Sequence, residues 1–319
     1  MKASSTAHLL SFSMVLETEN LANADLKNLS DSLASLKNQE IPPTYAKEVL
    51  LIDSGDVPPG KLEQLREKYP WITVYQAPLG TDYYQAKMIG AIQASGDIIV
   101  YCDSDCIYEK SWLRNILAPF TLSKKIQVVA GETKVRGRGP YGTAMALAYI
   151  FPQYSRQNTL AETSQYFLNN VAFRRDLLVN YPIPSDLPLY RGNCVIHAQN
   201  LRSTGCAIWK QPQARATHAP PNGLSHFFWR FLLIGYDYYW QEFLLSQAKV
   251  QEGYHDPNSG LKGKLNVFLD RIHKMVTDKR RHLFYLPFAI PIAAIALTLI
   301  LVGYLMTRLQ PNWVENNSL

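Results

Sequence analysis

The sequence predicts an α/β fold: a doubly wound, mostly parallel sheet with flanking helices, followed by C-terminal interfacial and transmembrane helices. Three observations carry this. Strand-like and helix-like periodicities alternate through the first hundred residues, as they do in parallel sheets with crossover helices. Ile98-Ile99-Val100-Tyr101-Cys102 is too short and too β-branched for a helix, so it reads as a strand buried on both faces. Leu283 to Met306 is a run of 24 residues without a formal charge. As a helix it would extend about 36 Å, enough for the roughly 30 Å of bilayer hydrocarbon.

In chain order, Leu9 to Leu16 reads as a strand ending in Glu17-Thr18-Glu19-Asn20, and Asp25 to Asn38 as a helix with Leu26, Leu29, Leu33 and Leu36 at helical spacing. Glu48 to Ile52 is a second strand that stops at Asp53-Ser54-Gly55. A charged surface helix over Lys61 to Lys68, a third strand over Ile72 to Gln76 and a helix over Tyr83 to Ala94 follow. The buried strand then stops at Asp103-Ser104-Asp105. An Asp-x-Asp triplet alone arises by chance in a chain of this length. Its position gives it weight, because parallel strands gather their C-terminal ends on one crevice and Glu17, Asp53 and Asp103 all stand there. Two carboxylates in such a crevice can hold a hard divalent cation, which in turn holds phosphate oxygens. No Gly-x-Gly-x-x-Gly follows the first strand and no Gly-Lys-Ser/Thr occurs, which disfavours a dinucleotide fold and a P-loop.

With 319 residues, 47% hydrophobic and 18% charged, the chain has room for one large domain and an appendage. Its four cysteines form no Cys-x-x-Cys pair, which favours a reducing compartment. The N-terminus lacks the pattern of a signal peptide. The net charge of +6 is spread along the chain without a basic stripe interleaved with aromatics, which argues against a nucleic-acid partner. The exception is Lys279-Arg280-Arg281-His282, directly before the long apolar run. Set against Arg308 and Glu315 after it, this cluster predicts a single-pass membrane protein with the large domain before the run on the cytoplasmic side. Pro287 and Pro291 fall in the first turns of that run and leave the start of the helix open.

Taken together, Glu17, Asp53-Ser54-Gly55, Lys87, Ala94-Ser95-Gly96-Asp97 and Asp103-Ser104-Asp105 resemble the nucleotide-sugar half of family 2 glycosyltransferases with the GT-A fold. Val128-Val129-Ala130-Gly131 looks like that fold's next strand. Asn169-Asn170-Val171-Ala172-Phe173-Arg174-Arg175 resembles its motif beneath the donor sugar. Gly192 to Gly205 matches the acceptor-side helix, and Pro212 to His218 the strand after it. The resemblance covers residues 9 to 218. It implies a nucleotide diphosphate sugar donor with Glu17, Glu19 and Asp53 at the base and Asp103 at the ribose. Lys87 would neutralise the nucleotide, and Asn169 and Asn170 would lie under the sugar. Asp105, with Asp103 and His218 as further candidates, would bind Mg2+ or Mn2+. A cation and a lysine there would stabilise the departing nucleoside diphosphate.

The likeness breaks at Asn193-Cys194, where inverting members carry a Glu-Asp pair that supplies the general base. An amide has no useful basicity, and a thiol with pKa near 8.5 is mostly protonated at neutral pH. The downstream Gln-x-x-Arg-Trp signature of processive synthases is also missing. Asp186, or His197 one helical turn beyond Asn193, could supply the base instead. Alternatively the chemistry retains anomeric configuration and needs no base there, or the protein is a catalytically silent nucleotide-sugar-binding or scaffold protein.

Arg136 to Pro140 reads as a flexible basic loop. His226 to Leu245 is rich in aromatics and poor in charge, which suits a helix at a membrane interface or one packed on the sheet. Gly253 to Gly263 reads as a loop, and Leu265 to Lys279 as an amphipathic stretch. The expected organisation is therefore a glycosyltransferase domain over 1–222, divided into a nucleotide-sugar half at 1–120 and an acceptor half at 121–222. A membrane-proximal region over 223–282, a transmembrane helix over 283–306 and a tail over 307–319 follow. A tethered enzyme of this kind implies a lipid-linked or polysaccharide acceptor.

Overall fold

The computed structural model describes residues 10–18, 26–55, 57–252, 269–275, 277 and 282–316. Glu19, the loop expected over 253–263 and the basic residues Lys279 to Arg281 lie outside the described residues, as does most of the stretch over 265–279. The chain divides into two units that interleave along the sequence. One comprises residues up to Thr133, Arg156–Ser185 and His197–His218; the other comprises Lys134–Ser155, Asp186–Ile196 and the chain from Ala219 on.

The first unit is built on a sheet of nine strands: β1 (Phe12–Glu17), β2 (Val49–Asp53), β3 (Thr73–Gln76), β4 (Ile98–Cys102), β5 (Cys106–Tyr108), β6 (Val128–Val135), β7 (Ala161–Thr163), β8 (Asn170–Arg174) and β9 (Ile208–His218). Their order is β3-β2-β1-β4-β8-β6-β9-β5, with β7 paired to β9. The first four strands are parallel, joined through α1 (Leu26–Lys37), α2 (Pro59–Lys68) and α3 (Tyr83–Gln93). Such crossovers are what parallel neighbours need. The pairings of β8 with β4 and β6, and of β5 and β7 with β9, are antiparallel, so the parallel part of the sheet is β3-β2-β1-β4.

The step from β4 to β5 fixes the sheet's curvature. These strands stand four places apart in the order, which in a flat sheet comes to about 19 Å. The chain from Cys102 to Cys106 reaches about 14 Å at full extension. The sheet must therefore curl, and Asp103-Ser104-Asp105 runs across the concavity.

Local sequence explains the elements around this stretch. β4 is fully buried at all five positions, as its continuous apolar run requires. α1 buries Leu29, Leu33 and Leu36, each fully burying side chain stabilising by about 1.5–3 kcal/mol. α3 begins with a capping box: Asp82 accepts from the Tyr84 and Gln85 amides at 2.8 and 2.9 Å, and Gln85 accepts from the Asp82 amide. Gly90 lets α3 settle directly on Val15 of β1, where no Cβ would fit. Together these fix the azimuth of α3, which aims Tyr83 and Lys87 at the end of β4.

Asn170 locks the antiparallel half. Its side chain accepts from Trp112 Nε1 of α4 (Trp112–Leu117) at 2.7 Å and donates to the Glu132 and Ala214 carbonyls at 3.1 and 3.0 Å. α5 (Pro119–Leu122) continues from α4, and α7 (Arg175–Asn180) follows β8. Asn170→Ala would leave the Trp112 indole N–H without its acceptor in the core and remove the bonds to two carbonyls. The expected result is a loss of about 3 kcal/mol or more, measured as a lower denaturant midpoint at unchanged slope.

The second unit contains α6 (Gly139–Ala148), α9 (Gly223–Glu252), α10 (His282–Leu309) and α11 (Trp313–Asn316). α8 (Asn193–Ser203) begins in this unit and continues into the first. Only Arg136 to Arg138 of the expected basic loop is irregular, since α6 starts at Gly139. α10 has a mean hydropathy of 2.4 over its most apolar window and is long enough to cross a membrane. It runs through Pro287 and Pro291. Its small residues Ala289, Ala293, Ala296, Gly303 and Thr307 are buried, while Phe284, Phe288, Ile295, Leu301 and Leu309 point outward. Gly303 packs on the Leu232 backbone and Gly235 on the backbone of Ile300 and Tyr304, so α9 and α10 touch main chain to main chain. Small residues lie at the contact and large apolar ones outside it. The aromatics of α9 divide accordingly: Phe227, Phe231 and Tyr236 are buried, Phe228, Tyr238 and Phe243 exposed. Trp313 stacks on Trp229 and donates to Thr307 Oγ1 at 2.9 Å, returning the chain to α9 after α10.

Candidate active site

The register of β5 on β9 sets Cys106 opposite His218, which brings Asp105 beside the histidine. Asp105 Oδ2 lies 3.0 Å from His218 Nε2, and both side chains keep about one seventh of their surface open, 15% and 14%. Cys106 Sγ completes a cluster whose ligand atoms lie within 4.8 Å of one another, but this thiol is fully buried. Two donors about 3 Å apart match one edge of an octahedron with metal–ligand bonds of about 2.1 Å. Carboxylate and imidazole thus fit a divalent cation.

Asp103 sits behind this pair and is 4% exposed. Its carboxylate accepts from Tyr83 Oη at 3.0 Å and pairs with Lys87 Nζ at 2.7 Å. The Lys87 ammonium is fully buried and also donates to the Cys102 carbonyl. Burial on its own would lower its pKa, but Asp103 and Glu17 outweigh this and the net direction is upward. The resemblance places Lys87 at the nucleotide; in the structure it is the counter-ion of Asp103 and of the buried Glu17. The Asp103 amide donates to Tyr108 Oη at 2.8 Å, which donates to the Asn169 carbonyl at 2.9 Å. Asn169 Oδ1 in turn accepts from Thr133 Oγ1 at 3.0 Å. Asn169 therefore belongs to the same network as the triplet, whereas Asn170 points into the core.

Asp53 is held at the end of β2 by Thr18 Oγ1 at 2.9 Å, Gln76 Nε2 at 2.9 Å and the Gly55 amide at 3.3 Å. Gly55 has φ +93°, a conformation glycine adopts without strain. The two candidate bases fare differently. His197 is 1% exposed; its Nε2 donates to the Tyr181 carbonyl at 2.8 Å and its Nδ1 accepts from Tyr166 Oη at 2.6 Å. Burial pushes its pKa down to about 4, with the Tyr181 carbonyl pulling weakly the other way. A neutral ring with both nitrogens engaged is a structural tie. Asp186 is exposed in a bend of the second unit.

Sequence reasoning missed Tyr83, Tyr108, Thr18 and Gln76. For Tyr83 a signal was present, since it precedes Lys87 by four residues on one helix face. Tyr108 had none, because β5 is three residues long.

A curled sheet, parallel then antiparallel, with acidic strand ends and an Asp–His pair where β4 gives way to β5, defines a GT-A-type glycosyltransferase. The chain belongs to glycosyl transferase family 2, whose model matches residues 22–181. It is 33% identical over 110 residues to N-acetylgalactosaminyltransferase 6 of Drosophila melanogaster, a stretch of 33% of this chain and 16% of that relative's length. Among solved structures it is similar to GalNAc-T7 with UDP, GalNAc and Mn2+, at a TM-score of 0.56 and 15% identity over 86% of this chain and 58% of that one. It is also similar to the mannosyltransferase PcManGT of Pyrobaculum calidifontis in complex with GDP-Man and Mn2+. There the TM-score is 0.55 and the identity 16%, over 96% and 82% of the two chains.

Proposed function

We propose that this glycosyltransferase moves a sugar from a nucleoside diphosphate sugar to a lipid-linked or saccharide acceptor at a membrane on which α10 is anchored. The observation that carries the reading is the Asp105–His218 pair at the mouth of the curled sheet. Asp105 and His218 would hold a divalent cation, Mn2+ in preference to Mg2+, with the thiol of Cys106 too buried to lead. Such a cation, when bound, offsets the negative charge of the leaving diphosphate. Asp53, fixed by Thr18 and Gln76, presents a carboxylate to a base N–H, with Glu17 behind it. Asp103, oriented by Tyr83 and Lys87, faces the ribose, and Asn169 lies under the sugar. With His197 committed to Tyr166 and Tyr181, Asp186 is the accessible candidate for a general base.

Both relatives of known structure were solved with Mn2+ and a nucleotide, which supports the donor class. The outward apolar face of α10 supports the anchor, and the basic stretch over 279–281 supports a cytoplasmic position for the catalytic unit. The test is to incubate the detergent-solubilised chain with Mn2+ and a panel of UDP- and GDP-sugars, with and without a membrane lipid extract. Turnover of at least one donor, abolished by chelation, is the expected result. Metal-dependent nucleotide binding with no turnover on any donor would instead make the chain a binding module.

A further inference from the structure

α9 lays two polar side chains one turn apart, Asp237 and Gln241, against the segment that leads into α8. Asp237 is 4% exposed. Its Oδ1 accepts the amides of Tyr190 and Arg191 at 2.7 and 3.2 Å, and its Oδ2 accepts the Arg191 amide at 3.0 Å. Gly192 lies directly against the Gln241 amide, which an added Cβ would push aside. The Gly192 carbonyl then accepts the Val195 amide at 2.9 Å, closing the first turn of α8. Three consecutive residues are thus clamped to α9 immediately before Asn193. A buried carboxylate spent entirely on main-chain amides needs a reason beyond packing, because an ionised group is costly to bury and strong as an acceptor.

We propose that Asp237 is a positioning residue for the acceptor: it holds the Tyr190–Gly192 segment, and with it the start of α8, in the arrangement that receives the acceptor. The inference rests on the reading of Gly192 to Gly205 as the acceptor-side helix. It also makes the clamp sensitive to acid. Burial pushes the Asp237 carboxyl up to about 6, against the pull of Arg230 and of the two amides. The charged and titratable groups facing it are Arg230 and Tyr238 on its own helix and Tyr190 and Arg191 on the segment it holds. Loosening the segment takes away the two amides that hold the carboxyl down while Asp237 stays buried, so the loosened arrangement binds the proton more tightly and is favoured as pH falls.

The test uses the full chain in detergent. Hydrogen exchange of the Tyr190 and Arg191 amides, corrected for intrinsic rates, is followed from pH 5 to 8 in wild type, Asp237→Asn and Asp237→Ala. The wild type is expected to lose protection by about tenfold as pH falls through about 6. Asp237→Asn should keep intermediate protection without pH dependence, since its amide oxygen still accepts, and Asp237→Ala should be unprotected throughout. In parallel, transfer of sugar to a membrane lipid extract is compared with hydrolysis of the donor by water. Asp237→Ala should lower the ratio of transfer to hydrolysis by about tenfold at unchanged hydrolysis, and Asp237→Asn should restore most of it. Protection at the two amides that does not depend on residue 237, or a transfer ratio unchanged in Asp237→Ala, overturns the proposal. A wild type that turns over no donor would instead sink the glycosyl-transfer reading, and the exchange result then judges the clamp alone.

Discussion

Asp105→Ala is expected to lower donor turnover about a thousandfold, equivalent to about 4 kcal/mol of lost transition-state stabilisation. The reasoning begins with geometry. Asp105 and His218 point at one another across 3.0 Å, and they are reached only because β5 turns back to lie antiparallel to β9. Removing the carboxylate leaves an imidazole as the accessible donor of the cluster, which is insufficient for a hard cation beside phosphate oxygens. His218→Ala should cost less and act differently. With a nitrogen donor lost, the preference for Mn2+ over Mg2+ should narrow or vanish. Both side chains are partly open, so neither change should move the thermal midpoint by more than about 2–4 °C, the equivalent of about 1 kcal/mol. Initial rates under a Mn2+ and a Mg2+ titration check all three points. Full activity in Asp105→Ala would show that the catalytic cation, if one is used, is held elsewhere.

The parts of this site that were legible in the sequence are those with a strong local signature. Ile98 to Cys102 is an uninterrupted apolar run, and its boundaries as β4 are those expected. The leucines of α1 and the uncharged run of α10 are equally plain, because a helical period and a long apolar run can each be read from neighbouring residues alone. What stayed hidden depends on partners far along the chain. β5 and β7, at three residues each, have no pattern of their own and exist because β9 offers them an edge. The antiparallel half pairs strands far apart in the chain, β4 with β8 and β5 with β9, so no single strand reveals their direction. His197 and Asn170 carry polar side chains whose roles are set by Tyr166, Tyr181 and Trp112, between about 16 and 60 residues away. Asp237 looked like one of the few charges in an aromatic helix; only the return of the Tyr190–Gly192 segment to α9 gives it a function. Lys87, which the resemblance sets at the nucleotide, is paired in the structure with Asp103, and that pairing leads to a second measurable consequence.

Lys87→Met is expected to unfold the first unit more easily, by about 3–5 kcal/mol, instead of merely weakening the donor. If the ammonium faced the nucleotide, its loss would raise the donor KM and leave the fold intact. In the structure, however, Nζ is fully buried and bonded to Asp103 Oδ1 and the Cys102 carbonyl, with Glu17 close enough to raise its pKa further. Deleting the cation leaves the buried Asp103 carboxylate without its counter-ion, with Tyr83 Oη still bonded to it. The sign of the pH dependence follows from the same pair. A lysine whose folded pKa is raised contributes its full stability below the unfolded value of about 10.5, and that contribution disappears only as pH rises through the higher folded value. Wild type should therefore hold its midpoint across the neutral range and lose stability in alkali, whereas Lys87→Met should lack this alkaline loss. For a unit of this size the expected fall in midpoint at pH 7 is about 10 °C. Adding Asp103→Asn to Lys87→Met should recover part of the stability, because it removes the charge that the first change left uncompensated. Additive losses in the double variant, or a Lys87→Met protein with a wild-type midpoint and a raised donor KM, would return Lys87 to the nucleotide.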